Sequence, residues 1–248
     1  MEPVRPEGGA AAVIIGNEVL SAKVRDANGP VLIQRLRDQG IPLRSVEIIP
    51  DEVDIIAEAV NRARQRARWV FTSGGIGPTH DDVTVQSVAR ALGRPVIRLP
   101  EMVALLSQNH PEGASEAALR LANAPEGAHL IAAEGMWFPA LAVDELYMLP
   151  GVPALFRVQL DAVLATLPSF RIFLRTLYVT LRETEFAERL DAVDAAFPEV
   201  AIGSYPAFDR ALDYRVKITF EGAEDAPVLA ALRRFADQLP PDTIVREE

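Results

Sequence analysis

The densest chemistry lies in Phe71-Thr72-Ser73-Gly74-Gly75-Ile76-Gly77-Pro78-Thr79-His80-Asp81-Asp82-Val83-Thr84. Glycines let backbone N–H groups approach an anion with no side chain in the way, and a following helix N-terminus favours negative charge. Two adjacent acids, Asp81 and Asp82, follow the glycines. Carboxylates repel a phosphate unless a cation lies between them, and Mg²⁺ is commonly held by one or two carboxylates plus substrate phosphates. The stretch therefore predicts a metal-bridged phosphate or diphosphate, with the Ser73 and Thr79 hydroxyls as further donors. It is not a Walker loop, because no Gly-Lys-Ser or Gly-Lys-Thr follows. Nor is it the dinucleotide fingerprint, whose last glycine would fall at His80. A second reading stays open on glycine content alone: a tight turn with Asp82 as helix N-cap.

Other chemistry is sparse. The histidines His80, His110 and His129 lack short metal-ligand spacing, and only His80 sits beside candidate acids. No Gly-x-Ser-x-Gly elbow is present. Cysteine is absent from the 248 residues, which excludes disulfides, thiolate metal sites and cysteine nucleophiles. A net charge of −10 and a pI near 4.9 argue against a nucleic-acid partner. The one dense basic run, Arg62, Arg64, Arg66 and Arg68, reads as the solvated end of a helix. No apolar run reaches membrane length, and Met1 to Gly9 has no signal-peptide core, so a soluble cytoplasmic protein is expected.

The elements that must hold these groups follow from periodicity. Ala10 to Ile15 is a buried strand ending at Gly16, with Asn17 and Glu18 just beyond. Asp26 or Asn28 caps a helix that carries Val31, Leu32, Leu36 and Ile33 and stops at Gly40. Leu43 to Ile49 is a second strand. Pro50-Asp51-Glu52 opens a helix with Val53, Ile56, Ala57 and Val60 on one stripe. Asp51 reads either as a cap or as an acid at the ligand. Trp69 to Thr72 is the third strand, and Val83 to Leu92 a helix. This alternation calls for a parallel sheet covered on both faces. Right-handed crossovers gather Asn17, Glu18, Asp51 and Ser73–Asp82 at one sheet edge, where ligands bind in such folds.

After Gly93 the pattern loosens. Pro100–Gln108 and Ser115–Leu121 read as helices, and His129–Ala132 and Glu145–Leu149 as strands. Pro150-Gly151-Val152-Pro153 then leads into a helix to about Leu167. That turn either completes the cleft through Gly151 or is simply rigid, with proline in the first helical turn. Pro168 marks a boundary between domains over 10–168 and 170–248. The second reads as strands at Arg171–Leu181, Val200–Tyr205, Tyr214–Phe220 and Thr243–Val245, with helices at Glu183–Phe197 and Ala226–Leu239. That order, βαββαβ, is the ferredoxin-like arrangement. It holds no cluster of catalytic residues.

Together, Ile15-Gly16-Asn17-Glu18-Val19-Leu20-Ser21, Asp26-Ala27-Asn28, Pro50-Asp51-Glu52 and the Gly74–Thr84 motif resemble a known family. It is the molybdopterin-binding-like domain of CinA competence/damage-inducible proteins, of eukaryotic FAD synthase and of the molybdenum-cofactor proteins MogA and MoeA. The resemblance covers about residues 10–165, with Leu149-Pro150-Gly151-Val152-Pro153 as its later turn. The remainder is similar to the small extra domain of stand-alone members, and no nicotinamide-nucleotide deamidase domain is seen.

The resemblance implies a three-layer α/β/α domain with its site at the glycine loop. It implies either metal-dependent cleavage of a nucleotide diphosphate such as ADP-ribose or FAD, or binding of a pterin phosphate. On this reading Ser73, Gly74, Gly75, Ile76, Gly77, Thr79, Asn17, Glu18, Asn28 and Gly151 hold the ligand. Asp82, Asp81 and Glu18 hold Mg²⁺, Mn²⁺ or Co²⁺. Asp51 and His80, with Asp81 and Asp82, are the candidate catalytic groups. Family members usually carry Asp where this chain has Asn17, an uncharged and poorer metal ligand. Three readings follow: a pyrophosphatase, a molybdopterin or nucleotide carrier without turnover, and an interaction module with a relict loop. Relatives form oligomers, so a homodimer is expected.

Overall fold

The computed structural model describes residues 8–109, 114–133, 136, 138–209 and 211–248; His110 and most of the N-terminal segment read above lie outside them. The chain separates into two compact units that part between Ser169 and Phe170.

The first unit is built on strand β1 (Ala10–Ile15), in which every residue is buried. Such a strand needs cover on both faces. Its residues Ala11, Val13 and Ile15 join Ile56, Val60 and Val88 in one core, while the alternate residues are equally buried on the other face. A short helix α1 (Asn17–Leu20) follows, then α2 (Asn28–Asp38), β2 (Leu43–Ile49), α3 (Val53–Arg66), β3 (Trp69–Ser73) and α4 (Thr84–Leu92). Strand β2 pairs in parallel with β1, and β1 with β3. Helices α3 and α4 pack together, as do α2 and α7 (Pro153–Leu164). The three-layer α/β/α architecture expected from the alternation is therefore present.

Beyond Gly93 come β4 (Val96–Arg98), α5 (Pro100–Asn109), α6 (Glu116–Arg120), β5 (Asn123–Pro125), β6 (His129–Ile131), β7 (Ala140–Val143) and β8 (Leu146–Leu149). Strands β4 and β5 form a separate two-stranded ribbon. Strand β8 joins β3 in parallel, and β7 and β6 extend the sheet antiparallel, giving the order β2-β1-β3-β8-β7-β6. The strand expected from Glu145 begins one residue later. Asp144 and Glu145 form the two-residue hairpin turn between β7 and β8, with Asp144 left-handed at φ 53°.

The second unit runs β9 (Phe173–Val179), α8 (Ala187–Ala196), β10 (Ala201–Pro206), β11 (Val216–Gly222), α9 (Asp225–Ala236) and β12 (Ile244–Glu247). Its antiparallel order, β10-β11-β9-β12, is ferredoxin-like. The helix expected over Glu183–Phe197 is interrupted. A 3₁₀ turn (Glu183–Glu185) ends at Phe186, whose φ of −135° lets its ring enter the core against Phe235. Among the described residues no helix is long and apolar enough to cross a membrane.

Candidate functional site

The turn after β3 is dictated by two glycines. Gly74 has φ +103° and Gly75 φ +67°, a region that side chains rarely enter. A Cβ on Gly74 would collide with the Ile15 carbonyl oxygen, and one on Gly75 with the Thr84 hydroxyl. Thr84, fully buried at the start of α4, fastens the turn. Its N–H donates to Gly75 O at 2.9 Å and its hydroxyl to Gly74 O at 2.8 Å. The Gly74 N–H donates to Leu149 O at 3.0 Å, continuing the β3–β8 ladder. That corrects one expectation, since the Gly74 amide is spent on main chain. The amides of Gly75, Ile76 and Gly77 make no hydrogen bond to any described residue.

The two acids are arranged around Thr79. Its N–H donates to Asp82 Oδ2 at 2.8 Å, its hydroxyl to Asp81 Oδ1 at 2.7 Å, and the same hydroxyl touches Asp82 Oδ2. A hydroxyl has one hydrogen to give. Two carboxylates therefore close on a hydroxyl that can donate to only one of them. The Thr79 bond, then the Asp81 backbone amide, hold the Asp81 carboxyl below its ordinary value, and His80 adds to this. The site thus places Thr79 as a brace for the acids, not as a free phosphate donor. Asp82 does not cap α4, whose N-cap is Val83 with no side-chain bond. Its carboxylate instead fills the space where a Cβ on Gly77 would stand, 2.5 Å from Asp82 Oδ2. His80 points into solvent, 96% exposed, with Nδ1 3.9 Å from Asp81 Oδ1.

The loops after β1 and β2 form the next wall. The Glu18 carboxylate folds over Gly16, where a Cβ would stand 2.5 Å from Oε1. Asp51 Oδ2 accepts the Asn17 N–H at 2.7 Å and so ties these two loops together. Asp51 does not cap α3, whose N-cap is Glu52. Asn17 enters the site through its backbone. The N-cap of α2 is Ala27, and Asp26 just before it accepts the N–H groups of Asn28 and Gly29 at 2.9 and 3.0 Å. Asn28 and Ser73 are both buried, bonded to each other at 2.9 Å, and their donors go to protein.

Glu18, Asp51, Gly74 to Gly77, Asp81, Asp82 and Gly151 meet around one cleft of about 420 Å³. That is within the usual size of a small-molecule site. Asn17, Asn28, Ser73, Thr79 and His80 are not among its lining residues. The same cleft has an apolar lining of Ile15, Ile76, Leu121, Phe138, Val152 and Leu155. Ile15 and Phe138 are also core residues, Ile76, Leu121 and Leu155 are half-buried, and Val152 is 62% exposed. Among the described residues, no lysine or arginine lines the cleft. Among the described residues no three His, Asp or Glu side chains converge on a metal position, so a cation here would need oxygens from its ligand as well.

A family model described as a probable molybdopterin binding domain matches residues 11–169, and one described as the FAD synthase middle domain matches 171–248. A protein of Archaeoglobus fulgidus is 30% identical over 92% of this chain and 96% of its own. A probable FAD synthase of Caenorhabditis briggsae is 31% identical over 90% of this chain and 48% of its own. A CinA-like protein of Mycobacterium tuberculosis is 34% identical over 76% and 50%. The chain thus spans about half the length of these last two. Among solved structures, CinA from Thermoplasma acidophilum superposes with a TM-score of 0.57 at 28% identity, over 62% of this chain and 94% of that one.

Proposed function

Since the chain belongs to the molybdopterin-binding domain family over residues 11–169, we propose that its cleft binds a nucleotide diphosphate, of the ADP-ribose or FAD type, and hydrolyses the bridge between the phosphates. The observation that carries this reading is the set of unpartnered amides at Gly75, Ile76 and Gly77 beside two carboxylates that share one hydroxyl. Those amides hold one phosphoryl group in the positive field of the α4 N-terminus. The apolar wall takes the ring of the nucleotide.

Asp82 and Asp81 would offer a divalent cation oxygen donors of the right hardness for Mg²⁺, Mn²⁺ or Co²⁺, but Glu18 does not converge with them on one position, so most of the shell would come from the diphosphate and water. When bound, that ion would polarise the phosphoryl oxygens and acidify water. Asp51 is held by the Asn17 amide through one oxygen and lines the cleft; on this reading it accepts the proton of the attacking water. The water oxygen bonds to one phosphorus, the bridging P–O bond breaks, and the bridging oxygen leaves on the second phosphate. Two monophosphates result.

The test is incubation of the full chain with ADP-ribose or FAD, with and without Mg²⁺, Mn²⁺ or Co²⁺. Release of a mononucleotide that chelation stops and Asp82→Ala abolishes supports the enzyme. A second reading, a carrier of a nucleotide or pterin phosphate without turnover, is favoured by Asn17, which is neutral and offers the site only its backbone N–H. Tight retention of ligand with no product decides for it. Neither binding nor product with any metal sinks both.

A further inference from the structure

Asn28 lies outside the cleft lining, yet it bonds both to the end of β3 and to the turn after β8. It sits in the first turn of α2, held there by the Asp26 carboxylate. Its Nδ2 donates to Ser73 Oγ at 2.9 Å, at the end of β3, and to Gly151 O at 2.9 Å, in the turn after β8. Pro150 O lies 3.4 Å from both Nδ2 and Ser73 Oγ. One carboxamide with two N–H hydrogens therefore bridges the glycine loop and the 150–151 turn, and the Ser73 hydroxyl closes the set against Pro150. The amide cannot turn over, because its oxygen would then face the Gly151 carbonyl. Its Oδ1 is buried with no partner. An orphaned acceptor offsets what the donors contribute, so the net stabilisation is small and the effect is mainly geometric.

We propose that Asn28 is a positioning residue: it fixes the Pro150-Gly151 turn against the end of β3 and thereby sets the gap that the ligand enters, without touching the ligand. This rests on the cleft being the ligand site. The bridge is short on both sides, and Gly151 stands over Gly74, where a Cβ on Gly151 would lie 3.5 Å from the Gly74 Cα. Any outward shift of the turn widens the space between Gly151 and the free amides at 75–77. Loss of the bridge acts on binding first.

The variant is Asn28→Asp, equal in size but carrying acceptors where the two N–H groups were. Ser73→Ala is the milder second variant, since it leaves the Asn28–Gly151 bond in place. Leu36→Ala, fully buried two turns further along α2, controls for stability alone. Affinity for ADP-ribose is measured by calorimetry well below each melting temperature. In parallel, hydrogen exchange is followed at the amides that close the turn, Gly74 on Leu149 O and Phe156 on Val152 O. Asn28→Asp is expected to weaken binding by about tenfold or more and to speed exchange at both amides. Ser73→Ala should give the same changes at smaller size. Leu36→Ala should lower the melting temperature and leave affinity unchanged. Wild-type affinity in folded Asn28→Asp, or unchanged exchange at Gly74 and Phe156, overturns the proposal. If the wild type binds no diphosphate, the functional reading falls, and exchange still decides whether Asn28 holds the turn. If Asn28→Asp does not fold, Ser73→Ala decides by the same two measurements.

Discussion

In the six-stranded sheet, β2, β1, β3 and β8 run parallel and release their loops at one edge. In the four-stranded sheet of the second unit, neighbours run antiparallel and their connections divide between both ends. The consequence is visible in how charge is handled. Around the first edge, Glu18, Asp51, Asp81 and Asp82 have no lysine or arginine partner among the described residues and share a cleft of about 420 Å³. In the second unit, Arg246 lies 3.9 Å over the Tyr178 ring and pairs with Asp213 at 3.0 Å and Glu248 at 3.0 Å. Its small cavity, beside Glu199 and Gly222, holds about 10 Å³, no more than one water. Charges that close on one another leave nothing for a ligand. Charges left facing a cleft remain available to a ligand.

The largest test of this division is in the core of the second unit. Phe235 is fully buried against Phe186 and Phe220. Phe235→Ala should cost about 3–5 kcal/mol in that unit. Ligand binding by the first unit should persist at a temperature where the second has lost its near-ultraviolet dichroism. Simultaneous loss of both would break the comparison.

Next is the glycine turn. Gly74→Ala puts a methyl against the Ile15 carbonyl, which belongs to a buried strand and cannot yield. About 3 kcal/mol of stability should go, together with binding, as read by urea denaturation and calorimetry. Gly93→Ala is the measure of backbone strain alone. Gly93 has φ +64° with nothing within 4 Å of an added Cβ, so about 1 kcal/mol is expected and binding is kept. Equal losses in the two variants would remove the special status of the cleft turn.

The same turn shows where sequence reading succeeds and stops. Continuous apolar runs such as Ala10–Ile15 and Trp69–Phe71 announce buried strands, and parallel alternation then brings Glu18, Asp51 and Asp82 to one edge. Strands β4, β5 and β7, three or four residues each, are too short to show a period. Side-chain chemistry was legible as donor or acceptor, but its partner was not. Ser73 and Asn28 read as ligand donors and turn out to bond each other. The Gly74 amide reads as free and is taken by Leu149, 75 positions away. The apolar wall at Leu121, Phe138, Val152 and Leu155 was invisible, because an apolar residue on a cleft looks in sequence like one in a core.

The smallest expected effect concerns Asp81. Its carboxyl is held below the ordinary value of about 4, first by the Thr79 hydroxyl. A depressed carboxyl favours the folded arrangement at pH above the ordinary value, and that preference is lost as pH falls through the depressed one. Protonation in that acid window releases the Thr79 hydroxyl, and the loop should loosen below about pH 4. Thr79→Val keeps the shape and removes the donor, so the Asp81 titration, followed by NMR of its side-chain carboxyl carbon, should move upward toward the ordinary range. Added Mg²⁺ should push the wild-type Asp81 midpoint lower still, because a cation beside it favours the charged form. If Mg²⁺ leaves Asp81 where it was, the acids of the cleft hold no cation between them, and that part of the functional reading is lost.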